Sequence, residues 1–264
     1  MKIIFIGDIV GSVGRNAVKA VMPRLKQAHP NAVFIANGEN AAAGKGINAS
    51  IARELYDMGI QSLTMGNHTW DKKEIFDFID QDERMVRPAN FPAGTPGRGH
   101  TVIKIKDQEI LIINLQGRTF LPPIDCPFRK VDEILENAKK KYKYIFVDFH
   151  AEATSEKIAM GWHLDGRVSA VVGTHTHVQT NDNRVLPQGT AYVTDVGMVG
   201  PRDGVLGVER TAVLQKFKTQ LPVRFVTDEG KWHFHAVVIE LNDQTGLAKG
   251  IQLIRYEEDQ VFLD

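Results

Sequence analysis

Carboxylate, amide and imidazole side chains directly follow short apolar runs at five places in this sequence. In an open α/β sheet, ligands bind in the crevice outside the carboxyl ends of the strands. Separate strands could therefore deliver all of these side chains to one edge of a sheet. The five motifs are "GD" at 7–8, "GEN" at 38–40, "GNH" at 66–68, "FH" at 149–150 and "GTHTH" at 173–177. The candidate residues that they contain are Asp8, Glu39, Asn40, Asn67, His68, His150, His175 and His177.

Most of these motifs also have an ordinary structural interpretation when taken alone. Asp8 suits a turn or a helix cap, Gly38 favours a turn, and His150 could be a core histidine. The "GTHTH" motif is unusual by itself, because imidazoles at i and i+2 can point to one side. The recurrence of eight such side chains at predicted strand ends favours a functional site over the separate structural interpretations.

The types of these side chains indicate a particular chemistry. Carboxylate oxygen, amide oxygen and imidazole nitrogen, without thiolate, suit Mn²⁺, Fe or Zn²⁺ better than Ca²⁺ or a structural zinc. The set is too large for one ion, whereas two ions that share a carboxylate would use all of it. Two ions close together are a standard arrangement for in-line displacement at phosphorus. The residues therefore predict a dinuclear metal centre that acts on a phosphoryl group.

The elements that must position this centre follow an alternating pattern. Three β-rich runs, "KIIFIG", "AVFIAN" and "SLTM", are each followed by an amphipathic stretch, the third containing Ile75, Phe76 and Ile79. Such β-α alternation predicts parallel strands with helical crossovers. Residues 101–116 then predict a β-hairpin, so the sheet becomes mixed. We predict one α/β domain over residues 1–264, with two sheets or one strongly split sheet covered by helices.

Composition limits the partners. Lys plus Arg equals Asp plus Glu, at 32 each, which gives no general attraction for nucleic acid or anionic membrane. The basic run "KKKYK" at 139–143 is more typical of a solvated helix end than of a nucleic-acid surface. No run approaches the roughly 20 apolar residues of a membrane span, and the first apolar run is too short for a signal peptide. With the single cysteine Cys126, these features predict a cytoplasmic protein.

The motifs, taken in order, resemble those of the calcineurin-like metallophosphoesterases. They are most similar to the YmdB-like branch of bacterial cyclic-nucleotide phosphodiesterases, through "FIGDIVGSVGR", "NGENAAAGKG", "MGNHTWDKKEI", "DFHAEATSEK" and "VVGTHTHVQT". The resemblance extends over the whole chain and implies a sandwich of mixed β-sheets flanked by helices, in the order α/β/β/α. Two features depart from the wider superfamily and match this branch. Val10 replaces a histidine, and Glu39 followed by Asn40 replaces an aspartate.

The resemblance also implies roles for the candidate residues. Glu39 bridges two divalent ions, Fe or Mn first and Zn as an alternative, and a hydroxide held between the ions attacks phosphorus. His68 is left without a metal and suits general acid catalysis. The implied substrates are small cyclic nucleotides, 2′,3′-cyclic first and 3′,5′-cyclic second. The ligands implied for one ion are Asp8, Glu39, Asn40 and His177, and those for the other are Glu39, Asn67, His150 and His175.

Several alternatives stay open at this point. Asp195 in "TDVG" is either a partner of a histidine ligand or a turn residue, and Arg15 and Arg118 could contact phosphate. His233 and His235 have the pattern of a strand face and are interpreted as structural. No residue is assigned to recognition of the base. The alternative functions are a phosphomonoesterase, a nuclease acting on short RNA, and a non-catalytic regulatory protein, and a homo-oligomer is compatible with each of them.

Overall fold

A computed structural model of the chain describes residues 1–138 and 141–259, which form two β-sheets packed face to face. The first sheet has eight strands, in the order β2-β12-β13-β1-β3-β4-β5, with β14 paired to β13. Its strands are β1 (Lys2–Ile6), β2 (Asp8–Ile9), β3 (Ala32–Asn37), β4 (Ser62–Thr64), β5 (Met85–Val86), β12 (Met198–Pro201), β13 (Trp232–Leu241) and β14 (Ala248–Glu257).

The second sheet has six strands, in the order β10-β11-β9-β8-β7-β6. The hairpin predicted over residues 101–116 is present as the antiparallel pair β6 and β7. The strands of this sheet are β6 (His100–Ile105), β7 (Gln108–Gln116), β8 (Tyr144–His150), β9 (Ala170–Thr174), β10 (Arg184–Val185) and β11 (Ala191–Val193). Each sheet contains both parallel and antiparallel pairs, so both are mixed.

Helices cover the outer face of each sheet. One apolar cluster joins α1 and α2 to the first sheet, a second lies between the sheets, and a third joins α3 and α4 to the second sheet. This layering confirms the predicted α/β/β/α sandwich. The helices are α1 (Gly11–Ala28), α2 (Ala49–Asp57), α3 (Pro127–Ala138), α4 (Thr154–Leu164) and α5 (Arg210–Thr219).

Strand periodicity brings the polar strand ends between the sheets. In β8, Phe146 belongs to the cluster between the sheets, whereas Val147 and Phe149 belong to the outer cluster. Because side chains alternate along a strand, Asp148 and His150 share the inner face with Phe146. Strands β1, β3 and β4 run parallel in one sheet, and β7, β8 and β9 run parallel in the other. Their carboxyl ends meet at one edge of the sandwich.

The third amphipathic stretch, predicted to be a helix, does not form a regular α-helix, so this prediction is wrong. The segment forms a short 3-10 helix over Lys73–Asp77, in which Ile75 is the buried residue. Phe76 instead faces outward and stacks on Trp70, with ring centroids 5.3 Å apart. The apolar face is therefore too narrow to stabilise a longer helix, since short helices depend on tertiary packing.

The structure contains no helix of sufficient length and apolar character to cross a membrane, within residues 1–138 and 141–259. Lys139 and Lys140 of the predicted basic run lie outside the described residues.

Candidate metal centre

Three of the predicted ligands converge on one nitrogen atom of a fourth, His150, at the shared edge of the sheets. The His150 Nε2 atom lies 3.0 Å from Glu39 Oε1, 2.9 Å from Asn67 Oδ1 and 3.1 Å from His175 Nδ1. One imidazole nitrogen carries at most one hydrogen and cannot satisfy three partners at once. Ligand atoms of Glu39, His150 and His175 all lie within 4.8 Å of one another, which is the spacing expected around a cation.

Glu39 is held in this cluster through both of its oxygens. Its second oxygen, Oε2, accepts a hydrogen bond of 2.8 Å from the backbone N–H of His68. Gly66 packs directly against the pair, since a Cβ there would lie 2.3 Å from His150 Cδ2 and 2.5 Å from Glu39 Oε2. The glycine of "GNH" is thus required by the close approach of the backbone to the candidate ligands.

Asp8 and His177 lie beside this cluster, and Asn40 directly follows Glu39 in the chain. Asp8 Oδ1 lies 3.9 Å from His150 Nδ1 and 4.0 Å from His177 Nε2. Asn40 donates through Nδ2 to the Gly44 carbonyl, so its Oδ1 is turned the other way. Within the described part of the chain, the buried Oδ1 atoms of both Asp8 and Asn40 have no hydrogen-bond partner. Buried oxygens without a donor are costly, and a cation would satisfy them.

The "GTHTH" segment reaches this position through an unusual backbone. His175 and His177 have φ angles of 98° and 64°, which non-glycine residues seldom adopt and which cluster at functional sites. Asp195 holds the residue between them, because its Oδ2 accepts from Thr176 N at 3.0 Å and from Thr176 Oγ1 at 2.6 Å. Lys157 donates to the same oxygen at 2.6 Å. Asp195 therefore contacts Thr176, and among the described residues its carboxylate has no hydrogen bond to a histidine ring.

A buried chain of hydrogen bonds behind His150 was missed in the sequence. His150 Nδ1 lies 2.9 Å from Thr174 Oγ1, and that hydroxyl donates to Asp148 Oδ1 at 2.8 Å. The Thr174 oxygen is thus free to accept, which places a hydrogen on Nδ1 and leaves Nε2 as the ligand atom of His150. Burial raises the pKa of Asp148 to about 6, although His150 and hydrogen bonds act in the opposite direction.

His68 lies at the rim and has its own carboxylate partner. Its Nδ1 is 2.9 Å from Asp71 Oδ2, and both side chains are partly exposed. Asp71 does not cap the short helix that follows, which has Lys72 at its N-cap without a side-chain hydrogen bond. Because Asp71 fixes the Nδ1 side of the ring, Nε2 is the nitrogen available to another molecule.

Glu39 and His150 shift each other's pKa in opposite directions. Burial by itself would raise the pKa of Glu39, but the charge and hydrogen bond of His150 lower it to about 2. Burial would lower the pKa of His150, yet Glu39, Asp8 and Asp148 raise it to about 9. These shifts favour a protonated His150 beside an ionised Glu39.

The other titratable groups are also suited to metal binding. Burial and the nearby His150 lower the pKa of His175 to about 3, and burial lowers the pKa of His177. Both rings are therefore neutral at pH 7, the form that binds metals. Burial raises the pKa of Asp8 well above its ordinary value, and the carboxylates of Asp195, Glu39 and Asp148 act in the same direction. The donor set fits a group of divalent cations.

Metal binding is expected to release protons and to strengthen with pH. A raised pKa means that His150 stays protonated until the pH approaches about 9, and a metal ligand must be deprotonated. The apparent affinity for Mn²⁺ should therefore rise between about pH 6 and pH 9, by about tenfold per pH unit for each proton released. Calorimetric titration in buffers of different ionisation enthalpy measures that release. Affinity independent of pH would contradict this assignment.

The remaining predicted residues lie differently. Arg15 donates to Glu54 Oε2 at 2.9 Å and to the Ala41 carbonyl at 2.6 Å, so it supports the loop after Asn40. Arg118 is exposed and its Nη2 lies 3.5 Å from Cys126 Sγ. His233 and His235 stack on each other in β13, with ring centroids 4.2 Å apart.

Two mixed sheets between helices, with oxygen and nitrogen ligands gathered at one edge, define a metallophosphoesterase. The fold is shared with the calcineurin-like phosphoesterase YfkN from Bacillus subtilis, at a TM-score of 0.60 and 9% identity over 97% of this chain and 90% of that one. The family-level prediction is confirmed more directly by sequence.

The chain belongs to the YmdB-like protein family, whose model matches residues 4–254. It is 58% identical over 264 residues, with 100% of both chains covered, to a 2′,3′-cyclic-nucleotide 2′-phosphodiesterase of Bacillus subtilis (strain 168). It also resembles the chain in a crystal structure described as a novel phosphatase from Mycoplasma pneumoniae. The two sequences are 34% identical and the TM-score is 0.93, over 97% of this chain and 93% of that one.

Proposed function

We propose that this protein hydrolyses nucleoside 2′,3′-cyclic phosphates, with 3′,5′-cyclic nucleotides as second substrates. The observation that carries the proposal is the convergence of Glu39, Asn67 and His175 on the Nε2 atom of His150. The name of the Bacillus subtilis relative supports the 2′,3′-cyclic substrate and cleavage of the bond to O2′. Water would then add to phosphorus, the P–O2′ bond would break, and a nucleoside 3′-phosphate would result.

The cofactors are two divalent ions per chain, with Fe or Mn preferred and Zn as an alternative. When bound, such ions polarise the phosphoryl oxygens and supply an activated water at neutral pH. The orphaned oxygens of Asp8 and Asn40 support a second group of ligands beside the first. Asp8, Glu39, Asn40 and His177 would hold one ion, and Glu39, Asn67, His150 and His175 would hold the other.

His68 is the proposed general acid, because the departing O2′ needs a proton as its bond to phosphorus breaks. The ring lies at the rim, where Asp71 accepts from Nδ1 and leaves Nε2 as the nitrogen available to the substrate. The Nε2–H would then donate to O2′. The backbone N–H of His68 binds Glu39, which fixes the position of this residue relative to the candidate centre.

The remaining parts of the proposal concern the setting of the enzyme. The chain has a single cysteine, half-buried Cys126, which supports a reducing cytoplasm. A homo-oligomer is compatible with this site. The non-catalytic alternative is less well supported, because all seven candidate ligands are retained in the sequence. The name of the Mycoplasma pneumoniae structure supports phosphomonoesters as further substrates.

The test is to measure metal content and hydrolysis of 2′,3′-cyclic AMP in the same preparation. After reconstitution with Mn²⁺ or Fe²⁺, the protein should hold about two ions per chain and release 3′-AMP, as a dinuclear phosphodiesterase does. Two bound ions without hydrolysis would reject the substrate. Less than one ion per chain would favour the regulatory alternative.

A further inference from the structure

A buried amide side chain lies next to His150 and takes no part in the candidate centre. Gln116 ends β7 and is the register partner of His150 in the adjacent parallel strand. Paired residues of neighbouring strands lie on the same face, with backbones about 4.8 Å apart. The side chain is 1% exposed, and its Oε1 has no hydrogen-bond partner among the described residues. An acceptor buried in this way lacks the donor that a ligand hydroxyl would supply.

The loop that follows Gln116 is fixed at its base. Asn90 Nδ2 donates to the Gln116 carbonyl at 2.8 Å and to the Asp125 carbonyl at 2.9 Å, so one side chain joins both ends of the loop. Gly117 donates to the His150 carbonyl at 2.9 Å, which places the start of the loop at the candidate centre. The loop is therefore a preformed surface feature with closed ends.

Glu156 in α4 holds the next two residues of this loop. Its carboxylate accepts from Arg118 N at 3.0 Å and from Thr119 N at 3.2 Å. Gly117 is needed at this point, since a Cβ there would lie 2.6 Å from both Ala151 Cβ and Glu156 Oε2. These contacts fix the backbone immediately before Phe120.

Phe120 is the most exposed large apolar side chain in the described part of the chain, at 88%. Its φ angle of 62° lies in the left-handed region, which costs energy for a residue other than glycine. Phe120 is three positions after Gly117 in the chain, so its Cα is within about 11 Å of the strand end beside His150. The loop thus presents an aromatic ring to solvent close to the candidate centre.

The geometry points to a nucleoside subsite on the β7 side of the centre, in which Gln116 Oε1 accepts from a ribose hydroxyl and the Phe120 ring stacks on the base. This inference rests on the proposed function. It assigns residues to the ribose and the base, which the metal ligands do not contact. An aromatic face stacks on any base, which suits an enzyme that accepts several nucleosides. The buried amide of Gln116 accepts from the sugar, because every nucleoside substrate carries a free ribose hydroxyl.

The experiment compares two substrates that share the reacting phosphate. These are 2′,3′-cyclic AMP and the 2′,3′-cyclic phosphate of methyl ribofuranoside, which lacks a base. With the metal-loaded protein, Phe120→Ala should raise KM for the nucleotide by about 5- to 100-fold and leave the base-free compound unchanged. Phe120→Tyr should restore the native KM. Gln116→Leu should lower kcat/KM for both compounds by about tenfold, with native metal content.

Phe217→Ala is the matched control, because Phe217 is also a highly exposed phenylalanine but lies on α5. It should leave both substrates unaffected. Equal effects of Phe120→Ala on the two substrates, or an unchanged nucleotide KM, would overturn the base contact. Native kinetics in Gln116→Leu would overturn the sugar contact.

Binding separates this inference from the proposed reaction. Calorimetric titration with 3′-AMP and with ribose 3-phosphate needs no turnover. If the native protein hydrolyses neither cyclic substrate but binds 3′-AMP through Phe120, the reaction is wrong and the nucleoside subsite stands. If 3′-AMP binds equally to native protein and Phe120→Ala, the subsite is wrong whatever the activity.

Discussion

Replacing Glu39 by glutamine is expected to remove bound metal and hydrolysis together. The carboxylate lies 3.0 Å from His150 Nε2 and accepts from the His68 backbone, so it connects the candidate ligands to the candidate acid. Glutamine keeps the size and one oxygen but loses the negative charge. We expect about two ions per chain to fall below one, and activity to fall by about 10³-fold or more, since metal ions supply several kcal/mol of transition-state stabilisation.

Asp165→Asn is the matched control for this change. Asp165 is also a buried carboxylate, and it accepts from Gln188 N at 3.0 Å, in a part of the chain that contributes none of the candidate ligands. The control should lower thermal stability and keep metal and activity. Metal content is measured by atomic emission and activity by release of 3′-AMP. A Glu39→Gln protein that retained both ions would reject Glu39 as the shared ligand.

Replacing His68 by alanine is expected to lower the rate of hydrolysis without changing the metal content. The ring pairs with Asp71, and no hydrogen bond between the ring and a candidate ligand occurs among the described residues, so its removal should leave metal content unchanged. Loss of a general acid should lower kcat for 2′,3′-cyclic AMP by about 10²- to 10⁴-fold. For bis(p-nitrophenyl) phosphate the decrease should be much smaller, because p-nitrophenolate departs without a proton.

His163→Ala is the control, because His163 also pairs with an aspartate, Asp132, at 2.9 Å and is similarly half-buried. It lies in α4, whose residues are not among the candidate ligands, and should not change either rate. If His68→Ala lowers kcat for both substrates by the same factor, His68 is not a general acid and instead positions the substrate.

The sequence predicts the site best where glycine precedes a ligand at a strand end. In "GNH" and "GTHTH", the glycine permits a close backbone approach and the next side chains reach the shared edge, so the local pattern contains most of the geometry. The β-α alternation and the hairpin are local features and predicted mixed strands covered by helices, whereas the α/β/β/α layering was implied by the family resemblance. Residues 1–264 as one domain, and the roles of the individual ligands, stay predictions.

The supporting residues could not be predicted, because their partners are distant in sequence. Asp148 lies inside the apolar run "YIFVDF", and Lys157 in "TSEKIAM" has the pattern of a surface lysine. In the structure, Lys157 is buried against Asp195, 38 residues away. A local signal can also conceal a contact, since an aspartate just before an amphipathic stretch suits a helix cap, whereas Asp71 pairs with His68.

The two sheets contribute to the candidate centre from opposite sides, Glu39 and Asn67 after strands of the first sheet and His150 from the second. Ions held there would link the two sheets, in addition to the apolar cluster that packs between them. A ligand that binds only the folded state stabilises it by about 4 kcal/mol at a thousandfold excess over Kd. The free energy of unfolding would thus depend on the metal concentration in the cell, and loss of the metal would lower the stability of the protein as well as its activity.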